Sequence, residues 1–139
     1  AILSRGLGDV YKRQMQHVLI DACGWVACID AQLNIQRDME ALVGPCTWVL
    51  LPGVEAELER LENERTKKKS LLLSLLRSRA LRLETEKSGH TDDVLVACAR
   101  ENNWATLTVD TALKRRLYEA NLPVIEVRQN NHLHVVESL

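Results

Sequence analysis

Carboxylates at the ends of apolar runs are the side chains in this chain best placed to do chemistry. Asp21 closes the β-branched run Val18-Leu19-Ile20, and Asp110 follows the stretch from Trp104 to Val109. Thr91-Asp92-Asp93 opens a helical pattern that continues through Val94, Leu95 and Cys98, and Glu57 lies in the first turns of a helix begun by Pro52-Gly53. In an open parallel sheet, functional groups gather beyond the carboxyl ends of the strands, the rim at which helices also start. Four chain segments thus deliver acids to one edge. Ionised carboxylates crowded together repel each other unless hard cations lie between them, which favours Mg²⁺ or Mn²⁺. Taken singly, each acid has a simpler reading. Asp92 and Asp110 suit helix caps, and Glu57 suits an exposed helix face, as Glu55, Glu59 and Glu62 do. Four acids at matching ends of successive strand-helix units are harder to obtain from capping alone.

The elements that must position these acids alternate between strand and helix. Val18 to Ile20 reads as a strand buried on both faces. Ile35, Met39, Leu42 and Val43 then recur at helical spacing, and Gly44-Pro45 stops the helix. Trp48 to Leu51 is a second strand, followed by a helix whose inward positions are Val54, Leu58 and Leu61. Leu71 to Leu76 supplies a further helical face, and Leu81 and Leu83 alternate with Arg82 and Glu84 as in a half-exposed strand. Trp104 to Val109, Pro123 to Val127 and Leu133 to Val136 complete the strands, and Leu113, Leu117 and Ala120 mark the helix after Asp110. This order predicts an α/β fold: a doubly wound three-layer α/β/α sandwich around a mainly parallel central sheet.

The 139 residues, 46% hydrophobic and 27% charged, predict one compact domain that needs no disulfide scaffold. Uncharged runs such as Ser70 to Leu76 fall well short of the roughly 18 to 20 residues that span a bilayer, so no membrane helix is expected. Cys23, Cys28, Cys46 and Cys98 lack a CxxC pattern and read as reduced core thiols of a cytoplasmic protein. Residues 1–14, AILSRGLGDVYKRQ, show neither the helical nor the strand period. They read as a non-native or disordered leader resembling a translated library adapter, which leaves residues 15–139 as the domain.

Eighteen basic against nineteen acidic residues give −1, and without the leader 15 − 18 gives −3. A polyanion would therefore have to be met by local patches. The candidates are Lys67, Lys68 and Lys69 in one run and Lys114, Arg115 and Arg116 in another. Trp25, Trp48 and Trp104 adjoin apolar segments and read as packing, and His90 as a solvated loop residue.

Two α/β families with acidic sites fail on these residues. A receiver domain needs an acidic pair after its first strand, and a dinucleotide-binding fold needs a Gly-rich turn where Asp21-Ala22-Cys23-Gly24 offers one glycine. From Met15 to about Val136 the chain instead resembles the PIN-domain nuclease family. VLID at 18–21, PGVEAELERL at 52–61, TDDVLVACA at 91–99 and TLTVDTALKRRL at 106–117 are similar to that family's four blocks. The resemblance implies metal-dependent hydrolysis of RNA, with Asp21, Glu57, Asp93 and Asp110 as catalytic, metal-binding acids. Asp92 is the alternative in the third position, and Thr108 would be a supporting hydroxyl. Two metals about 3.5 to 4 Å apart would activate water and leave 5′-phosphate and 3′-hydroxyl ends.

The spacing from Asp21 to Glu57 and the basic helical segment after Glu57 are most similar to archaeal and eukaryotic PIN proteins of ribosomal RNA processing. The alternatives are a toxin ribonuclease of a toxin–antitoxin pair and a catalytically silent RNA-binding module. The partners implied are RNA, a second copy in a homodimer, and a ribosome-assembly protein or an antitoxin; a membrane is not among them. The family usually follows its first Asp with Thr or Ser and then Asn. Here Ala22 and Cys23 stand in those places, so the groups that would orient Asp21 are expected to be missing.

Overall fold

The structure, a computed structural model, describes residues 17–64, 72–85, 89–128 and 132–136. The leader at 1–14 and the run Lys67, Lys68 and Lys69 lie outside the described residues.

Six strands form one sheet: β1 (His17–Ile20), β2 (Thr47–Leu50), β3 (Leu81–Arg82), β4 (Ala105–Leu107), β5 (Val124–Arg128) and β6 (His132–Val136). Their order is β3-β2-β1-β4-β5-β6, with β1 to β5 parallel and β6 antiparallel on β5. Six helices are described: α1 (Ala22–Asp30), α2 (Ile35–Val43), α3 (Pro52–Glu64), α4 (Leu72–Arg79), α5 (Thr91–Asn102) and α6 (Thr111–Glu119). This is the mixed α/β architecture with a mainly parallel sheet that the sequence predicts. Among the described residues no helix is long and apolar enough to cross a membrane.

The central strands are apolar because both faces are covered. Val18, Leu19 and Ile20 are fully buried, as are Val49 and Leu107 in the strands paired on either side. Helix α1 is almost wholly apolar (ACGWVACID), so it carries no amphipathic period to read, yet it buries Ala22, Trp25 and Cys28. Trp25 meets Trp48 edge-on with ring centres 5.5 Å apart, which joins α1 to β2 through the core. Helix α2 follows its amphipathic pattern, with Asn34 accepting from the Arg37 amide at its start and Gly44, at φ 81°, ending it in a conformation that favours glycine.

Glu55, expected on the surface beside Glu59 and Glu62, is buried instead. Arg82 Nη2 on β3 donates to both of its carboxylate oxygens at 2.6 Å, and Arg77 Nε on α4 donates at 2.7 Å. A buried carboxylate persists when opposite charge compensates its lost hydration. The Arg82 hydrogen bonds, joined by those of Arg77 and opposed by burial, hold its carboxyl below the usual range. The pair thus fastens α3 to a two-residue edge strand and to α4.

From β1 the chain reaches β2 on one side and later returns to β4 on the other. Their carboxyl ends therefore flank a topological switch point, the place where such sheets open a crevice.

Candidate active site

Asp21 stands one residue beyond β1, nearly buried, with its amide donating to the Leu107 carbonyl at the end of β4 (3.0 Å). Its Oδ2 accepts from the Thr108 hydroxyl at 2.7 Å and from the Cys23 thiol at 3.0 Å. Thr108 Oγ1 in turn accepts the Asp110 amide at 3.1 Å. One buried hydroxyl therefore couples the acid after β1 to the acid after β4. Cys23 corrects the expectation that Asp21 lacks a neighbouring orienting group, because the thiol supplies that hydrogen bond. It is not simply a core thiol. Burial, with the carboxylate it touches, pushes Cys23 up to about 11, so it stays protonated and donates.

Gly24 makes this contact geometrically accessible. A Cβ there would lie 2.5 Å from the Leu107 carbonyl oxygen and 2.8 Å from Thr108 Cα, both backbone atoms. Only glycine lets the first turn of α1 press against the end of β4. A second close approach joins α3 to α5, where a Cβ on Gly53 would meet Thr91 Oγ1 at 2.8 Å.

Between those helices opens a cavity of about 430 Å³. Helix α3 contributes Glu57 and Arg60 to its wall, α5 contributes Asp92 from its first turn, and Asp110 closes it from the start of α6. Asp110 Oδ1 accepts the amides of Ala112 (2.9 Å) and Leu113 (3.2 Å), so it is both helix cap and cavity wall. Burial first, and then the charges of Asp21 and Asp92, raise the carboxyl of Glu57 above its usual value, with Arg60 pulling the other way. Asp92 is raised by burial and by the charges of Asp21 and Asp110. Asp21 thus reaches the cavity through its field while its side chain is held from behind.

Asp93 goes elsewhere. Arg116 Nη1 pairs with its Oδ1 at 2.9 Å on the outer surface, and both side chains are well exposed. The packed face explains the phase, since Asp92 shares the side of the buried Leu95, Val96 and Ala99; His90, not Thr91, is the residue preceding α5, and its Nδ1 accepts the Asp92 amide at 3.2 Å. His90 is consequently not a plain loop residue but a helix cap on the cavity wall. The basic run of α6 is divided as well. Lys114 Nζ turns to Glu126 on β5 at 2.6 Å, Arg116 is engaged by Asp93, and Arg115 is exposed. Lys114 and Arg116, expected to face RNA, are held in these ion pairs.

Among the described residues no three His, Cys, Asp or Glu side chains stand together closely enough to hold a metal ion. The sequence reading expected tighter convergence. The donor chemistry nevertheless fits a hard divalent cation. Glu57, Asp92 and Asp110 are oxygen donors around one cavity, and burial first, then the neighbouring acids, disfavours the charged forms of Glu57 and Asp92. Cys23, Gly24 and Arg60 were missed as contributors. Gly24 carried the one available signal, a glycine inside an apolar helical stretch.

A family model described as PIN like domain matches residues 18–130. The chain belongs to the PIN-domain family. Ribonuclease VapC4 of Methanocaldococcus jannaschii is 32% identical to this PIN domain over 110 residues, spanning 75% of the chain and 84% of that protein. The solved structure of the PIN domain endonuclease Utp24 superposes with a TM-score of 0.75 at 22% identity, covering 88% of this chain and 92% of that one. At that identity the second likeness speaks for the fold alone.

Proposed function

We propose that this PIN domain is a metal-dependent endoribonuclease that hydrolyses RNA phosphodiester bonds at the cavity served by Asp21, Glu57, Asp92 and Asp110. The observation that carries the reading is the Thr108 bridge: a buried hydroxyl fixes Asp21 and Asp110 at the switch point, beside a cavity with two carboxyls of raised pKa. Likeness to a protein named as a ribonuclease favours RNA as the substrate.

Asp21, Glu57, Asp92 and Asp110 would hold Mg²⁺ or Mn²⁺, with Asp92 in the third position rather than Asp93. Such a metal, held by these acids, would supply a water of lowered pKa and positive charge against the phosphate. The chain's own contribution is orientation. Thr108 and Cys23 keep Oδ2 of Asp21 in one place. The Ala112 and Leu113 amides prevent the Asp110 carboxylate from turning away. The starts of α1, α5 and α6 add the positive ends of helix dipoles, which favour the ionised acids and an incoming anion. Hydrolysis would leave 5′-phosphate and 3′-hydroxyl ends.

Ribosomal RNA processing is the cellular role proposed, on the Asp21–Glu57 spacing and the helix α4 that follows α3. The biochemical test is incubation of end-labelled single-stranded RNA with Mn²⁺, repeated with chelator. The expected result is Mn²⁺-dependent internal cleavage leaving 5′-phosphate ends; tight binding without cleavage would instead identify a silent RNA-binding module. Growth arrest on expression, relieved by an antitoxin encoded beside the gene, would assign the toxin role.

A further inference from the structure

The α6 run offers RNA less free charge than its sequence suggests, because Lys114 and Arg116 pair with Glu126 and Asp93. Other cations are committed in the same way. Arg77 and Arg82 grip Glu55, and Arg128 pairs with Glu126. The cavity wall, by contrast, carries one arginine or lysine among its described residues, Arg60. Arg60 lies three residues beyond Glu57 on α3, and such neighbours share a helix face with Cβ atoms about 5 to 6 Å apart. Its side chain is exposed, and its charge is felt at Glu57.

We propose that Arg60 binds the RNA phosphate next to the scissile one and routes the strand along α3 rather than over α6. The inference rests on the reading of the cavity as an RNA-cleaving site. A scissile phosphate among metal-bound acids is neutralised locally, but its neighbour must pass a wall of like charge. A guanidinium one helical turn from Glu57 offers that neighbour two parallel hydrogen bonds and an opposite charge. Because the neighbouring phosphate is held alike before and during bond breaking, Arg60 contributes uniform binding, which acts on KM rather than kcat.

The experiment is steady-state cleavage of a fixed single-stranded RNA in Mn²⁺ by the full chain, Arg60→Gln, Arg60→Lys and Arg115→Gln, at several salt concentrations. Arg60→Gln should raise KM roughly five- to tenfold with kcat within about twofold, the range for loss of one hydrogen-bonded contact at a solvent-exposed position. It should also flatten the dependence of log kcat/KM on log salt by about 0.7, the value for one contact to a single strand. Arg60→Lys should recover much of the loss, Arg115→Gln on the competing α6 path should change KM and slope less than Arg60→Gln does, and thermal midpoints should agree because both side chains are exposed. Unchanged KM and salt slope in Arg60→Gln would overturn the inference while leaving the nuclease reading intact. A fall in kcat at constant KM would overturn it too, by placing Arg60 on the scissile group. Failure of the unaltered chain to cut RNA would overturn the nuclease reading itself, and this inference with it.

Discussion

Thr108 donates its hydroxyl proton to Asp21 at 2.7 Å while receiving the Asp110 amide at 3.1 Å, so the first and last acids of the site are set by one buried side chain. Thr108→Val keeps the shape and removes both bonds. Leaving the Asp110 amide and one Asp21 contact unmade should lower stability by about 1 to 3 kcal/mol. Mn²⁺ affinity should fall roughly 10- to 100-fold, as when a group orienting a metal ligand is lost. Urea unfolding and Mn²⁺-titrated melts measure the two effects, and Thr108→Ser should restore most of each. Unaltered Mn²⁺ affinity in the valine variant would show that the bridge serves folding only.

The two close-packed glycines should respond differently to alanine. At Gly24 the new methyl meets backbone atoms of Leu107 and Thr108, which cannot turn aside. Overpacking of this kind costs typically about 1 to 3 kcal/mol, and the displacement of α1 would carry Asp21 off its partners. At Gly53 the nearest neighbours of the new methyl are atoms of one short side chain, Thr91, and not of the backbone, so the neighbour has more room to give. Chemical denaturation should therefore rank Gly24→Ala well below Gly53→Ala. Equal stabilities would mean that α1 can slide on β4 without cost.

Acid should weaken the fold through Glu126. Burial opposes its charge, but hydrogen bonds from Lys114 and Arg128 outweigh that and bring its carboxyl below the usual 4.5. A group whose pKa is depressed on folding adds stability that is fully present above the unfolded value and is lost as pH falls through the folded one. The Glu126 contribution should accordingly be intact at neutral pH and disappear below about pH 4.5, the unperturbed value. Unfolding free energies across pH 3 to 7 should show a shallower acid limb for Glu126→Gln than for the unaltered chain. Parallel limbs would show that the Lys114 and Arg128 pairs contribute no net coupling.

Asp21 and Asp110 were legible in the sequence because a strand-ending acid has one rim to occupy, whichever way its helix then turns. The choice between the neighbours Asp92 and Asp93 was harder, since adjacent helical residues point about 100° apart and only the packed face decides it: Asp92 shares the side of Leu95, Val96 and Ala99. Lys114-Arg115-Arg116 read as one basic run, yet consecutive positions on α6 face the sheet, the solvent and α5 in turn. The parallel sheet could be read from buried strands and intervening helices, and the edge strand β3 from the alternation of Leu81 to Glu84, but not the Arg82 grip on Glu55 that ties it to α3. The role of Cys23 is not legible in the sequence, because residue type alone does not show that a thiol lies within hydrogen-bond reach of Asp21 and Thr108.

The measurement closest to the central claim compares cleavage of labelled single-stranded RNA by the unaltered chain, Asp92→Asn and Asp93→Asn, with Mn²⁺ and with chelator. Asp92→Asn should lose at least about 100-fold in rate, beyond the roughly 10- to 100-fold typical of a group acting on a ligand from behind. Asp93→Asn, which breaks only an exposed ion pair worth at most about 1 kcal/mol, should stay near the unaltered rate, and chelator should abolish cleavage throughout. Full activity in Asp92→Asn, or cleavage that survives the chelator, would contradict a metal-dependent site built on the carboxylates of this cavity.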